Sequence, residues 1–124
     1  MTIKSWLVGK LTASDALMTV LGGTSHLLPQ HPGTIATFPC LIYTEMNNAD
    51  TGYFDNVATA ADSVIVFDIY TVDGSTSAID EALHTVMAGL MYNREFDADV
   101  SDADSNVRHK TSRYRRVLRA EDLV

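Results

Sequence analysis

Ser63-Val64-Ile65-Val66-Phe67-Asp68-Ile69-Tyr70-Thr71 is the stretch that decides the fold. β-Branched and aromatic residues dominate it, as expected of a strand. Side chains alternate across a strand, so Ile65, Phe67 and Ile69 share one face and Val64, Val66, Asp68 and Tyr70 share the other. The first set suits a core covered by helix. The second is too apolar to face water alone. Residues 57–62 either extend the strand or hold a bulge ahead of it.

Toward the C-terminus, Asp73-Gly74 marks a turn, and Ser77 with Asp80 three residues on resembles a capping pair. Ile79, Ala82, Leu83, Val86, Met87, Leu90 and Met91 then recur at intervals of three and four, which predicts the main helix over about 76–92. Asp80, Glu81, His84 and Thr85 fall on its polar side. Residues 94–119 read as a hairpin with a polar tip at 101–106. Phe96, Ala98 and Val100 alternate with Glu95, Asp97 and Asp99, and Tyr114, Arg116 and Leu118 share a side of the returning strand. Asp97 and Asp99 are expected across from Lys110, Arg113 or Arg115, where opposite charges attract.

Toward the N-terminus, Pro39 to Met46 reads as a strand with proline at its first position. Residues 47–56 are turn chemistry containing Tyr53 and Phe54, which are candidates for contact with a partner where exposed and otherwise fold back over the sheet edge. Residues 24–38 read as a loop, with a short strand near His26 to Leu28. Residues 3–21 predict two short helices, or one broken near Gly9 to Thr12. Thr12 or Ser14 is available as a cap, and Gly22-Gly23 is the stop. The expected fold is α+β: a mostly antiparallel sheet covered on one face by one main helix, with a short N-terminal helix and a C-terminal hairpin. A length of 124 residues fits a single domain, 1–124.

Charge is distributed unevenly around a formal total of -7. Before residue 94 the bases are Lys4 and Lys10 alone; Arg94, Arg108, Lys110, Arg113, Arg115, Arg116 and Arg119 follow. An acidic body opposes non-specific binding of nucleic acid. The basic strand suits carboxylates of the same chain or of a neighbouring copy. No run of about 20 apolar residues is present, so no spanning helix and no membrane partner is expected.

Motifs for chemistry are weak. Cys40 is the one cysteine, set in an apolar run, and reads as a small buried hydrophobe. His26 and His31 share a loop without a third ligand type beside them, so no metal is expected. Asp97, Asp99, Asp102 and Asp104 lack the central glycine and closing glutamate of a calcium loop. There is no nucleophile elbow and no phosphate-cradling glycine loop. Asp68 with Asp73 is a weak paired-carboxylate candidate. The expectation is a protein that is not an enzyme and uses no cofactor. An enzyme remains a less favoured alternative, requiring a concave site in which His84 or His109 converges with an acid.

The layout resembles a known family. The quoted features are a Leu/Ala-rich helical start ending in Leu21-Gly22-Gly23, the segment Phe38-Pro39-Cys40-Leu41-Ile42-Tyr43, the strand Val64 to Thr71, the helix Ala78 to Met91, and the basic segment Arg113-Tyr114-Arg115-Arg116. Together they resemble the tail terminator and tail completion proteins of long-tailed bacteriophages. The resemblance implies a small α+β domain that closes with copies of itself into a hexameric ring. That ring caps the tail tube protein and offers a surface to a head-completion or connector protein. DNA passes through it without being read in a sequence-specific way. It also implies a place in the virion, at the head–tail interface, and in the host cytoplasm during assembly. The acidic tip from Asp97 to Asp104 departs from the family pattern. Another head–tail connector component, an adaptor or stopper, is the alternative. Expected interface residues are Tyr53, Phe54, Val64, Val66, Asp68, Tyr70, Arg108, Lys110, Arg113, Arg115 and Arg116.

Overall fold

A computed structural model describes residues 2–29, 33–35, 37–46, 60–72, 74–101 and 105–123. Helices α1 (Ile3–Thr12) and α2 (Asp15–Leu21) come first, followed by strands β1 (Leu27–Leu28), β2 (Cys40–Glu45) and β3 (Ala60–Val72). Helix α3 (Ser77–Gly89) precedes β4 (Asn93–Asp99) and β5 (Val107–Arg119). The fold is α+β, with one mixed, mostly antiparallel sheet in the order β1-β2-β3-β5-β4. Only the β1–β2 pairing is parallel among the described strands.

The sheet is built around β3 and β5, which pair from Ala60↔Arg119 to Val72↔Val107. Strand β2 covers β3 only from Ile65 to Tyr70, and β4 covers β5 only from Lys110 to Arg115. At the Ala60–Asp62 end β3 pairs with β5 alone among the described strands, and Ala61 and its partner Leu118 are still buried in the core. Ile65, Phe67 and Ile69 face the helices and are buried, as the alternation predicts. They meet Ile3, Leu7 and Leu11 of α1, Leu17 and Leu21 of α2, Ile79, Leu83 and Met87 of α3, and Tyr114 and Leu118 of β5 in one core. Phe67 and Tyr114 make an edge-to-face pair with ring centroids 5.8 Å apart. Truncating a fully buried aromatic such as Phe67 to alanine costs about 3–5 kcal/mol.

The helix boundaries follow from their caps. Thr2 Oγ1 accepts from Ser5 N at 3.0 Å and starts α1. The helix runs through Gly9, so the break falls at Ala13-Ser14, later than the sequence suggests. Ser14 Oγ then accepts from Leu17 N and starts α2. Gly22, at φ 101, ends α2 in the left-handed conformation glycine tolerates. For α3 the N-cap is Thr76 without a side-chain bond, so the expected capping by Ser77 does not form.

The end of α3 carries strain. Tyr92 N donates to Met87 O and Met91 N donates to Ala88 O, the paired bonds of a Schellman termination. Its left-handed position is held by Met91, at φ 66, where glycine is usual. A non-glycine residue there costs on the order of 1–2 kcal/mol. Tyr92 turns inward, and its hydroxyl meets Ser63 Oγ at 2.7 Å. Met91, expected in the apolar stripe of the helix, is instead 70% exposed. The left-handed turn has already taken it out of the helical period.

Candidate surface on the open sheet face

The face of the sheet away from the helices carries Ile42 and Thr44 of β2, Val64, Val66, Asp68 and Tyr70 of β3, and His109, Thr111, Arg113, Arg115 and Val117 of β5. Val64, Val66 and Tyr70 are half-buried rather than sealed or bare. Cys40 and Ile42, on the same face, are buried. Met46, Phe96 and Val117 add exposed apolar area at 57%, 49% and 61%. Tyr53 and Phe54 lie outside the described residues.

Phe96 reaches this face through a bulge. Arg94 is opposite Tyr114 and Phe96 is opposite Arg113, so Glu95 is an extra residue in β4. A bulge re-aims the side chains that follow it. Uninterrupted alternation from Arg94, which faces the helices, would turn Phe96 toward them. The extra residue turns Phe96 and Ala98 to the open side and Asp97 and Asp99 to the helix side. It also sets Glu95 among the arginines.

Those arginines are paired within the chain. Arg113 Nε lies 3.2 Å from Glu95 Oε2, and Arg115 Nη1 lies 3.5 Å from Glu95 Oε1. Arg115 also grips Asp62 with two nitrogens, Nε donating to Oδ1 at 2.9 Å and Nη2 to Oδ2. Their side chains remain 45% and 51% exposed, so the pairs are solvent-screened and contribute little to stability. Beneath them, Met46, Val64, Glu95, Arg113 and Arg115 line a shallow hollow of about 590 Å³.

At the other end of the face His109 Nε2 donates to Asp68 Oδ1 at 2.7 Å, while its ring stacks on Tyr70 with centroids 4.1 Å apart. This brings His109 together with an acid, the pairing that the enzyme alternative requires within a concave site. Tyr70 stands between this pair and Cys40, since it is opposite both Cys40 and His109. Burial pushes the Cys40 thiol above its ordinary pKa, against a smaller lowering by the backbone at Tyr70. A buried, protonated thiol is a poor nucleophile.

The remaining candidates lie on the helix side. Lys110 Nζ is 2.9 Å from Asp80 Oδ2 and 3.5 Å from Asp97 Oδ2. Arg116 Nη1 donates to Leu90 O at 2.7 Å, and Nη2 lies 3.4 Å from Asp122. Arg108 lines a separate polar hollow of about 820 Å³ at the start of α3, where Asp97 and Asp99 balance its charge and that of Lys110. The basic segment is thus split by strand alternation, with Arg113 and Arg115 on the open face and Arg108, Lys110 and Arg116 on the other. Asp99 is opposite Lys110 and Asp97 is opposite Ser112, not Arg113 or Arg115.

A second polar cluster escaped the sequence reading. Asp80, expected on the solvent side of α3, is 8% exposed and accepts from Arg94 Nη2 at 3.0 Å as well as from Lys110. Arg94 also donates to the Tyr114 hydroxyl from Nε at 2.9 Å and Nη2 at 2.6 Å, and His84 Nδ1 lies 3.0 Å from that oxygen. Burial lowers the Arg94 pKa, but the bonds to Tyr114 and the charge of Asp80 outweigh it and leave it raised. The cluster ties α3 to β4 and β5. His26 donates from Nδ1 to Pro39 O at 2.6 Å and joins its segment to the start of β2. His31 lies outside the described residues. Among the described residues no group of three or more potential metal ligands converges, and no helix is long and apolar enough to cross a membrane.

No protein-family model matches the chain, and no curated protein matches it.

Proposed function

We propose that this chain is a structural assembly protein whose open sheet face docks to another copy of itself. Repetition of that contact closes a ring. In the reading suggested by the resemblance to phage tail terminators, the ring caps a tail tube and receives a head-completion or connector protein. The observation that carries the proposal is the composition of one face. Val64, Val66, Phe96, Met46 and Val117 lie among Arg113, Arg115, Tyr70 and Glu95. Aromatic residues, methionine and arginine are the types enriched in protein interfaces.

Charge supports the same reading. The basic strand is already matched to carboxylates of its own chain, and the net charge is -7. Such a surface does not grip DNA strongly, which suits a wall past which DNA moves. Negative-stain imaging of the purified chain, alone and mixed with tail tubes, tests the proposal. Rings with a central opening that also sit at tube ends support it; rings that ignore tube ends favour the alternative of another connector component.

A further inference from the structure

The hydroxyl of the fully buried Tyr114 lies among three nitrogens, and its proton has one place to go. Arg94 approaches the oxygen with Nε at 2.9 Å and Nη2 at 2.6 Å, and His84 approaches it with Nδ1 at 3.0 Å. A guanidinium does not lose its protons in a protein, so both Arg94 nitrogens donate. They take up the acceptor capacity of the phenolic oxygen. Burial raises the Tyr114 pKa above its ordinary value and Arg94 offsets this only in part, so the phenol keeps its proton near neutrality. Among the described residues, the group placed to accept that proton is His84 Nδ1. Nδ1 is then bare, and the ring carries its own hydrogen on Nε2.

A ring that gains a proton at Nδ1 cannot keep this contact. The oxygen would meet three donors with two lone pairs, and its own hydrogen would have no acceptor. The charged groups around the ring, among the described residues, are Asp80 and Glu81 one helical turn earlier in α3, Arg94 and Asp97 of β4, and Lys110 of β5. Helices α1 and α2 meet α3 through the apolar core. Asp80 would attract an imidazolium, but both of its oxygens are held already, Oδ1 by Arg94 and Oδ2 by Lys110. Glu81 is exposed, so its attraction is screened. Arg94 would repel the new charge across the oxygen they share. His84 is itself exposed, so a protonated ring can turn to water, whereas the Tyr114 hydroxyl cannot.

We infer that His84 is a pH-sensitive latch between α3 and the sheet. Neutral, it takes the Tyr114 proton and holds the helix to β5. Protonated, it lets go and leaves a buried hydroxyl without an acceptor. The contribution to stability is present while the imidazole is neutral and is lost as the pH falls and the ring gains its proton. The latch does not depend on the assembly reading, because it lies on the helix side of the sheet.

Two measurements on the full chain test it. Long-range proton–nitrogen NMR at pH 8 is expected to show His84 with its hydrogen on Nε2; a hydrogen on Nδ1 overturns the inference. Urea denaturation at pH 8 and pH 5 then compares wild type with His84→Ala, each with and without Tyr114→Phe. His84→Ala is expected to lower the midpoint by roughly 0.5 M at pH 8 and to leave it unchanged at pH 5. In the Tyr114→Phe background it is expected to change nothing at either pH. An unchanged midpoint at pH 8 overturns the latch. So does a loss at pH 5 as large as at pH 8, which would show an imidazolium paired with Asp80 or Glu81 instead. A loss at pH 8 that persists with Tyr114→Phe overturns it too, by removing the hydroxyl from the contact. If Tyr114→Phe does not fold, the ring's tautomer and the pH dependence of His84→Ala decide the question between them.

Discussion

Arg94 and Phe96, two residues apart in β4, face consecutive residues of β5, Tyr114 and Arg113. The residue left over, Glu95, changes the side on which everything after it points. Arg94 stays on the helix side with Asp80, whereas Phe96 comes out beside the arginines of the open face. The aromatic ring is half exposed and contributes little to the core.

Phe96→Ala is therefore expected to leave the melting temperature within about 1–2 °C of wild type, since surface changes rarely exceed about 0.5 kcal/mol. It is expected to weaken self-association at least tenfold, as loss of a central aromatic anchor does. Differential scanning calorimetry and analytical ultracentrifugation read the two effects separately. A large fall in melting temperature would place Phe96 in the core instead.

Asp80→Asn removes the one carboxylate that Arg94 and Lys110 share at 3.0 and 2.9 Å. Asp97 remains, but at 3.9 and 3.5 Å. Hydrogen bonds to charged groups are worth about 1.5–3 kcal/mol, so the variant should lose about 2 kcal/mol in urea denaturation. An unchanged midpoint would show that the cluster is not structural.

Glu45 sits half-buried, with Oε2 lacking a hydrogen-bond partner among the described residues. Burial raises its pKa above the ordinary glutamate value, and Lys4 offsets this only in part. The folded state thus binds its proton more tightly than the unfolded state does. The ionised carboxylate destabilises the fold at neutral pH, and this penalty is relieved as pH falls through the raised pKa toward the ordinary value. Glu45→Gln is expected to raise the melting temperature at pH 7.5, with the gain shrinking toward pH 4.5. Equal gains at both values would contradict the assignment.

Ser112 is 1% exposed, between Phe67 and Asp97 on the helix side, and its hydroxyl has no partner among the described residues. Removing an unsatisfied buried hydroxyl relieves a desolvation penalty. Ser112→Ala should be neutral or stabilising by up to about 1 kcal/mol in the same denaturation experiment. A loss greater than that would reveal a hydrogen bond to the hydroxyl.

The central strand was legible because its pattern is local. Alternation alone assigned Ile65, Phe67 and Ile69 to the core, and the spacing of Ile79, Leu83 and Met87 assigned the covering helix. The same parity puts Arg116 beside Tyr114 and Leu118, on the helix side. Its basic charge nonetheless drew it into one group with Arg113 and Arg115. What stayed hidden depends on partners distant in sequence. Asp80 looks solvent-facing on a helical wheel until Arg94 and Lys110, 14 and 30 residues later, close over it. The bulge at Glu95 interrupts an alternation that reads as unbroken, because only the pairing partner reveals the extra residue. Met91 fits the helical period, yet its backbone has left the helix.

The central claim is that the open sheet face is covered by another copy of the chain. Native mass spectrometry of the wild type beside Val66→Asp tests it most directly. The account predicts a closed oligomer for the wild type and a folded monomer for the variant, because Val66 is half-buried at the middle of that face. A wild type that is monomeric at every concentration, or a Val66→Asp oligomer of unchanged mass and stability, would contradict it.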